Sequence, residues 1–377
     1  MTSPTPQLNQ AALTKRLYEE LERFNKAAHM SVKLTANQIN VPVGMTPKET
    51  VWSLNKARLY HYYPQVPAEQ RKPVPLLLVF ALINRPYIFD LRPGNSFIEY
   101  MLTQGYEIYL LDWGTPGLED SHYTFEDYAL NYLPRAIRAL KRHSGKAEFS
   151  LLGWCIGAMI CTIYAAQRPN EGLRNLLLLT APLDFANKEA GPFNRWLTTE
   201  HYTVDELVRQ QGNIPGELID YGNKLLKPVE NFIGNYLKLW DNLDNQAVVE
   251  SWLAMNTWVT DYVPFPGGAF RQWINDFYRG DKLMQGTLIM GGRPVDLRDI
   301  TCSFVNIIAD KDHIVPNCQS TTIMDRIGSQ DKLLLEMRGG HIGMMVGSGA
   351  SKRVWPQING WLAERSNVEL RGLYDAA

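Results

Sequence analysis

The chain has 377 residues, 45% of them apolar and 20% charged, which suits two domains or one large α/β domain with an insertion, able to bury a core without staples. Its 38 basic and 39 acidic residues leave a net charge of −1, so the basic excess of a nucleic-acid-binding protein is absent. The longest apolar run, Leu76 to Ile83, has eight residues where a membrane helix needs about 20, and the N-terminus lacks the basic and apolar regions of a secretory signal. A cytoplasmic protein with no transmembrane segment is expected.

Residues 8–28 read as an amphipathic helix, with Leu13, Leu17, Leu21, Phe24 and Ala28 spaced four, four, three and four apart among charged residues. The run Val41 to Pro47 breaks the pattern, so this helix precedes the main body. It either packs on its own domain or offers a docking surface to a partner or an apolar phase. Strand and helix then alternate. Arg58 to Tyr63 reads as an edge strand, and Leu76–Leu82, Glu107–Leu111, Phe149–Leu152 and Leu176–Leu179 as strands buried on both faces. Helices are expected over 95–104, 125–142, 156–167 and 350–364, and later strands over Phe304–Ile308 and Lys332–Met337. The alternation predicts an α/β fold with a mostly parallel sheet.

One interval breaks this rhythm. About 120 residues separate the strand ending near Thr180 from the one starting at Cys302, where an α/β connection normally takes a handful. Within it, 185–295 carries Trp196, Trp240, Trp252, Trp258 and Trp273 and helical stretches at 203–211, 217–227, 246–259 and 270–283. The expected organisation is an N-terminal segment (1–40), a core (41–184 and 296–377) and a helical cap (185–295) inserted before the second-last strand.

Four cysteines are too few and too scattered for a disulfide framework, and none has zinc-ligand spacing. Cys155 stands apart. Gly153 and Gly157 bracket it between a buried strand and a helix, as a nucleophile on a tight strand-to-helix turn requires, because bulky neighbours two residues away would clash. The helix N-terminus would also favour a thiolate there. Of the seven histidines, His341 follows the last strand in Arg338-Gly-Gly-His-Ile-Gly343, where glycines free the loop to place an imidazole. Asp310 and Asp312 follow the preceding strand, and one of the two completes the order nucleophile, acid, histidine found in α/β hydrolases. Oxyanion donors are expected from the backbone N–H of Ile156 and from the loop after the Leu76–Leu82 strand, with Ile83 and Asn84 as candidates. No phosphate-binding glycine loop is present, so no cofactor and no metal is indicated.

At these residues the sequence resembles the polyhydroxyalkanoate synthases, specifically the short two-component kind of classes III and IV. The resemblance covers residues 40–365 and leaves the first 40 outside. It rests on Gly-Met-Thr-Pro-Lys-Glu (44–49), Ala-Leu-Ile-Asn-Arg-Pro-Tyr-Ile-Phe-Asp-Leu (81–91), Pro-Gly-Asn-Ser (93–96) and Leu-Asp-Trp-Gly (111–114). The cysteine box, Gly-Asn-Ile-Pro (212–215), Arg-Gln-Trp-Ile-Asn-Asp-Phe-Tyr (271–278), Asp-His-Ile-Val-Pro (312–316) and Gly-Gly-His-Ile-Gly (339–343) add to it. One departure is Ala158, where the family often has a second glycine after the box.

The resemblance implies an α/β-hydrolase fold and polymerisation of (R)-3-hydroxyacyl-CoA with release of CoA at the surface of cytoplasmic polyester granules. Cys155 would be nucleophile, Asp312 the acid and His341 the base. It also implies a growing polyester chain, a small second subunit of the E or R type, and compatibility with a homodimer. A cysteine-dependent thioesterase or polyester hydrolase is the alternative within the fold, and a non-catalytic granule-associated protein the alternative outside it.

Overall fold

The computed structural model describes residues 10–35, 39–190, 194 and 204–366. Its centre is an eight-stranded sheet of β1 (Glu49–Leu54), β2 (Ala57–Tyr62), β3 (Leu76–Val79), β4 (Ile108–Asp112), β5 (Phe149–Trp154), β6 (Leu173–Leu179), β9 (Ser303–Ala309) and β10 (Lys332–Met337); β7 (Ile289–Met290) and β8 (Arg293–Pro294) pair separately. The order across the sheet is β1-β2-β4-β3-β5-β6-β9-β10. The pairs β1/β2 and β2/β4 are antiparallel and the remaining five pairs are parallel. Every residue of β3, β5 and β6 is buried, as expected for strands covered on both faces.

Two strand expectations are corrected. Arg58–Tyr63 is not an edge: its residues up to Tyr62 lie in β2, and β1 covers it through a tight turn at Asn55, whose φ of 52° suits an asparagine. The strand expected over Leu76–Leu82 ends at Val79. From there the chain turns across the start of helix α4 (Ile156–Gln167), close enough that a Cβ on Gly157 would lie 2.4 Å from the Val79 carbonyl oxygen.

The chain forms two compact units. One comprises α1 (Gln10–Thr35) and residues 227–257; the other holds the sheet, with the rest of the expected cap segment. The segment 185–295 is thus divided, with its middle grouped with α1. Within the first unit, Arg23 Nε donates to Asp244 Oδ2 at 2.9 Å, and Tyr236 packs edge-on to Trp252. Leu21 and Phe24, expected on the apolar stripe of α1, are 50% and 70% exposed. The side chains of Leu13 and Leu17, and Trp196, lie outside the described residues.

Candidate active site

Cys155 occupies the turn between β5 and α4 with φ 56° and ψ −126°, a conformation that an L residue rarely adopts. The surrounding backbone holds it there. Its N–H donates to the Leu179 carbonyl at 3.0 Å, and its own carbonyl accepts from Ala158 N–H at 2.9 Å. Both flanking glycines are required by space. A Cβ at Gly153 would come within 2.6 Å of Ala158 Cα and 2.8 Å of Cys161 Sγ, and one at Gly157 within 2.6 Å of the Phe80 carbonyl oxygen. Ala158 itself is fully buried and continues the helix.

The acid and the imidazole come from the ends of β9 and β10. Parallel pairing of these strands sets Ala309 beside Met337, so the loops that follow lie next to each other. Asp312 Oδ2 lies 2.7 Å from His341 Nδ1, and both side chains are buried. The other oxygen, Oδ1, accepts from Ile314 N–H at 2.9 Å and Val315 N–H at 2.8 Å, which fixes the carboxylate's orientation. Asp310 has a different task. Its Oδ1 accepts from the N–H of Gly339, a residue at φ 143°, and so ties the two loops together.

Burial alone would push the His341 pKa down. The negative charges of Asp312 and Cys155, with hydrogen bonds to both side chains, outweigh it and raise the imidazole to about 10. A ring held as imidazolium at neutral pH beside sulfur is suited to stabilise a thiolate and to hand a proton to a leaving group. The sign for stability follows. A folded pKa above the unfolded value of about 6.5 stabilises the fold fully below that pH, and the contribution is lost as pH rises through about 10. Asp312→Asn should therefore lower the titration midpoint of His341 by roughly 1–3 pH units, followed by the ring-proton resonance. An unmoved midpoint would mean that Asp312 is not the main charge on the ring.

Tyr278 was not singled out by the sequence as a site residue. It is buried, and its hydroxyl is pushed well above the usual tyrosine range, first by burial and then by the charge of Cys155. Its ring packs on Phe185 and Trp273. Only its place inside the 271–278 motif could have pointed to it.

Among the oxyanion candidates, Ile156 is the first, buried residue of α4. Ile83 and Asn84 lie in the half-buried turn between β3 and the 3₁₀ turn Pro86–Asp90. That turn is pinned by residues of the cap segment. Trp258 Nε1 donates to the Arg85 carbonyl at 2.8 Å, Arg85 Nε donates to Asp261 Oδ1 at 3.1 Å, and the Trp258 ring packs near Phe80.

The family model of the α/β hydrolase fold matches residues 92–348. The solved structure of Paleococcus ferrophilus monoacylglycerol lipase is similar with a TM-score of 0.54 at 15% identity, over 82% of this chain and 100% of that one, a likeness of fold alone. Fold and family model together define an α/β-hydrolase-fold protein, with Cys155 on the turn between β5 and α4. A second family model, the poly-beta-hydroxybutyrate polymerase (PhaC) N-terminus, matches residues 9–101. The poly(3-hydroxyalkanoate) polymerase subunit PhaC of Allochromatium vinosum is 35% identical over 350 residues, 93% of this chain and 98% of that one. The protein of the same name from Haloferax mediterranei is 38% identical over 87% of this chain, which spans 66% of that relative's length. The chain belongs to the poly(3-hydroxyalkanoate) polymerase family. Because the N-terminal model begins at residue 9, α1 belongs to the family pattern, contrary to the expectation that the first 40 residues lie outside it.

Proposed function

We propose that this protein polymerises (R)-3-hydroxyacyl-CoA, with 3-hydroxybutyryl-CoA the expected substrate, into polyhydroxyalkanoate with release of CoA, through a thioester on Cys155. The observation that carries the reading is the buried His341–Asp312 pair at 2.7 Å, with Cys155 as the imidazole's other partner. Family membership supplies the reaction class.

In this reading the Cys155 thiolate attacks the thioester carbonyl, the carbon–sulfur bond to CoA breaks, and the His341 imidazolium gives its proton to the departing CoA thiolate. The ring, now neutral, takes the proton of a 3-hydroxyl as that oxygen attacks the acyl-Cys155 carbonyl and the Cys155 thiolate leaves. Asp312 keeps the accepting nitrogen turned outward and stabilises the imidazolium. The Ile156 N–H and an amide of the 83–86 turn would hold the oxyanion. Exclusion of water protects the acyl-enzyme from hydrolysis, a task suited to the Trp258–Asp261 segment over that turn.

The relatives' designation as a subunit supports a small second subunit, of the E or R type, and action at the granule surface belongs to the same proposal. Among the described residues no helix is long and apolar enough to cross a membrane. The test is to supply (R)-3-hydroxybutyryl-CoA and compare released CoA with free acid and insoluble polymer. Polymer that accounts for nearly all released CoA is expected. Free acid matching CoA would replace the polymerase by a thioesterase.

A further inference from the structure

Strand register assembles a second group of side chains at the far end of the sheet from Cys155. Glu49 in β1 is the cross-strand partner of His61 in β2, and His61 is the partner of Tyr109 in β4. Direct partners share a face, with Cβ atoms about 4.5–5.5 Å apart. His143, in the last turn of α3 (Leu133–Ser144), meets that face with its ring 4.6 Å from the His61 ring. Tyr109 is the second residue of β4, whereas Cys155 follows the last residue of β5, so the group lies at the N-terminal ends of the parallel strands.

Polar contacts join these side chains into one network. Tyr109 Oη lies 2.7 Å from Glu107 Oε1, and an ionised carboxylate only accepts, so the hydroxyl donates to it. The tyrosine oxygen is then left to accept from His143 Nδ1, 2.8 Å away. His61 Nε2 is buried 3.0 Å from the same Glu107 oxygen, at ion-pair distance though poorly aligned for a hydrogen bond. The other nitrogen of each ring turns toward one carboxylate oxygen. His61 Nδ1 lies 3.2 Å and His143 Nε2 3.4 Å from Glu49 Oε1, which also accepts from Tyr63 Oη at 2.6 Å. One ligand atom from each of Glu49, His61 and His143 thus converges on a common point, where a metal ion in place of the shared proton would join all three.

We propose that Glu49 Oε1, His61 Nδ1 and His143 Nε2 bind one divalent transition-metal ion, with zinc the best match. Two imidazoles and one carboxylate form a common three-ligand set that leaves a fourth position for water. The two separations from Glu49 Oε1, 3.2 and 3.4 Å, bracket the roughly 3.3 Å edge of a tetrahedron with bonds of about 2.0–2.1 Å, and all three ligand atoms lie within 4.8 Å of one another. Glu107 and Tyr109 are the outer partners that orient the two rings. Glu49 and His143 are 44% and 33% exposed, so the ion has a path in from solvent. The ligands come from three elements with no local spacing pattern, which is why the sequence indicates no metal. An ion here would tie the β1–β2 hairpin to α3 and act on stability, away from the thioester chemistry.

The test uses the purified full-length protein, stripped with a chelator and titrated with Co²⁺ and then Zn²⁺. One Co²⁺ per chain is expected, with visible d–d absorption, no thiolate charge-transfer band, and displacement by Zn²⁺ that also raises Tm. Glu49→Gln and His143→Ala alter partly exposed side chains and should keep the wild-type circular dichroism spectrum. Each should weaken Zn²⁺ binding by at least about 100-fold, and Tyr109→Phe by about 10–100-fold. The site is overturned by the absence of a cobalt spectrum, by a thiolate charge-transfer band, or by equal Zn²⁺ affinity in wild type and both ligand variants. The last outcome would leave the group as imidazoles bridged by protons.

Discussion

Cys155→Ala is expected to reduce CoA release from (R)-3-hydroxybutyryl-CoA by a factor on the order of 10⁶, the scale of losing a nucleophile from a catalytic triad. The buried turn between β5 and α4 offers no other group to carry the acyl chain. Cys161 is the internal control. It lies in α4 six residues on and is fully buried, burial pushes its thiol up, and its sulfur packs against Gly153. Cys161→Ala should leave turnover nearly unchanged and cost about 1 kcal/mol of stability, as the loss of one small buried group does. Stopped CoA release with intact thermal unfolding in the first variant, and the reverse in the second, is the expected pattern. Equal losses of activity would place the nucleophile elsewhere.

The second large effect separates two aspartates on one loop. Asp312→Asn keeps the shape of the side chain and removes the charge beside His341. Acylation needs a thiolate, which forms readily, whereas the elongation step must strip a proton from an alkyl hydroxyl. The expected result is a burst of about one CoA per site followed by turnovers slowed by a factor on the order of 10²–10⁴. Asp310→Asn should change the steady rate only modestly, because an amide oxygen can still accept the Gly339 N–H and no contact to the imidazole is lost. Rapid-quench measurement of CoA release distinguishes them. The assignment fails if the burst-and-stall pattern appears in Asp310→Asn and Asp312→Asn turns over normally.

What the sequence by itself determined was local. The elbow was legible because a strained residue between strand and helix demands small neighbours, and Gly153 and Gly157 stand there against atoms that admit no Cβ. Runs apolar on both faces, such as 149–152 and 176–179, could only be strands covered from both sides, and their alternation with helices gave the parallel sheet. The order of Cys155, the two aspartates and His341 was likewise readable, since it lies along the chain.

What only the tertiary structure decided were choices between residues that local chemistry treats alike. Asp310 and Asp312 are equally plausible acids from the residues alone. It is the pairing of β9 with β10 that turns Asp312 toward an imidazole 29 residues away and leaves Asp310 to hold the loop. Tyr278 comes within reach of the Cys155 charge only through the fold, since the two are far apart in the chain. The middle of the expected cap, 227–257, groups with α1, where the Arg23–Asp244 ion pair joins residues far apart in the chain. Glu49, His61 and His143 are far apart in the chain and meet only through sheet register and the placement of α3, so their convergence is a property of the fold.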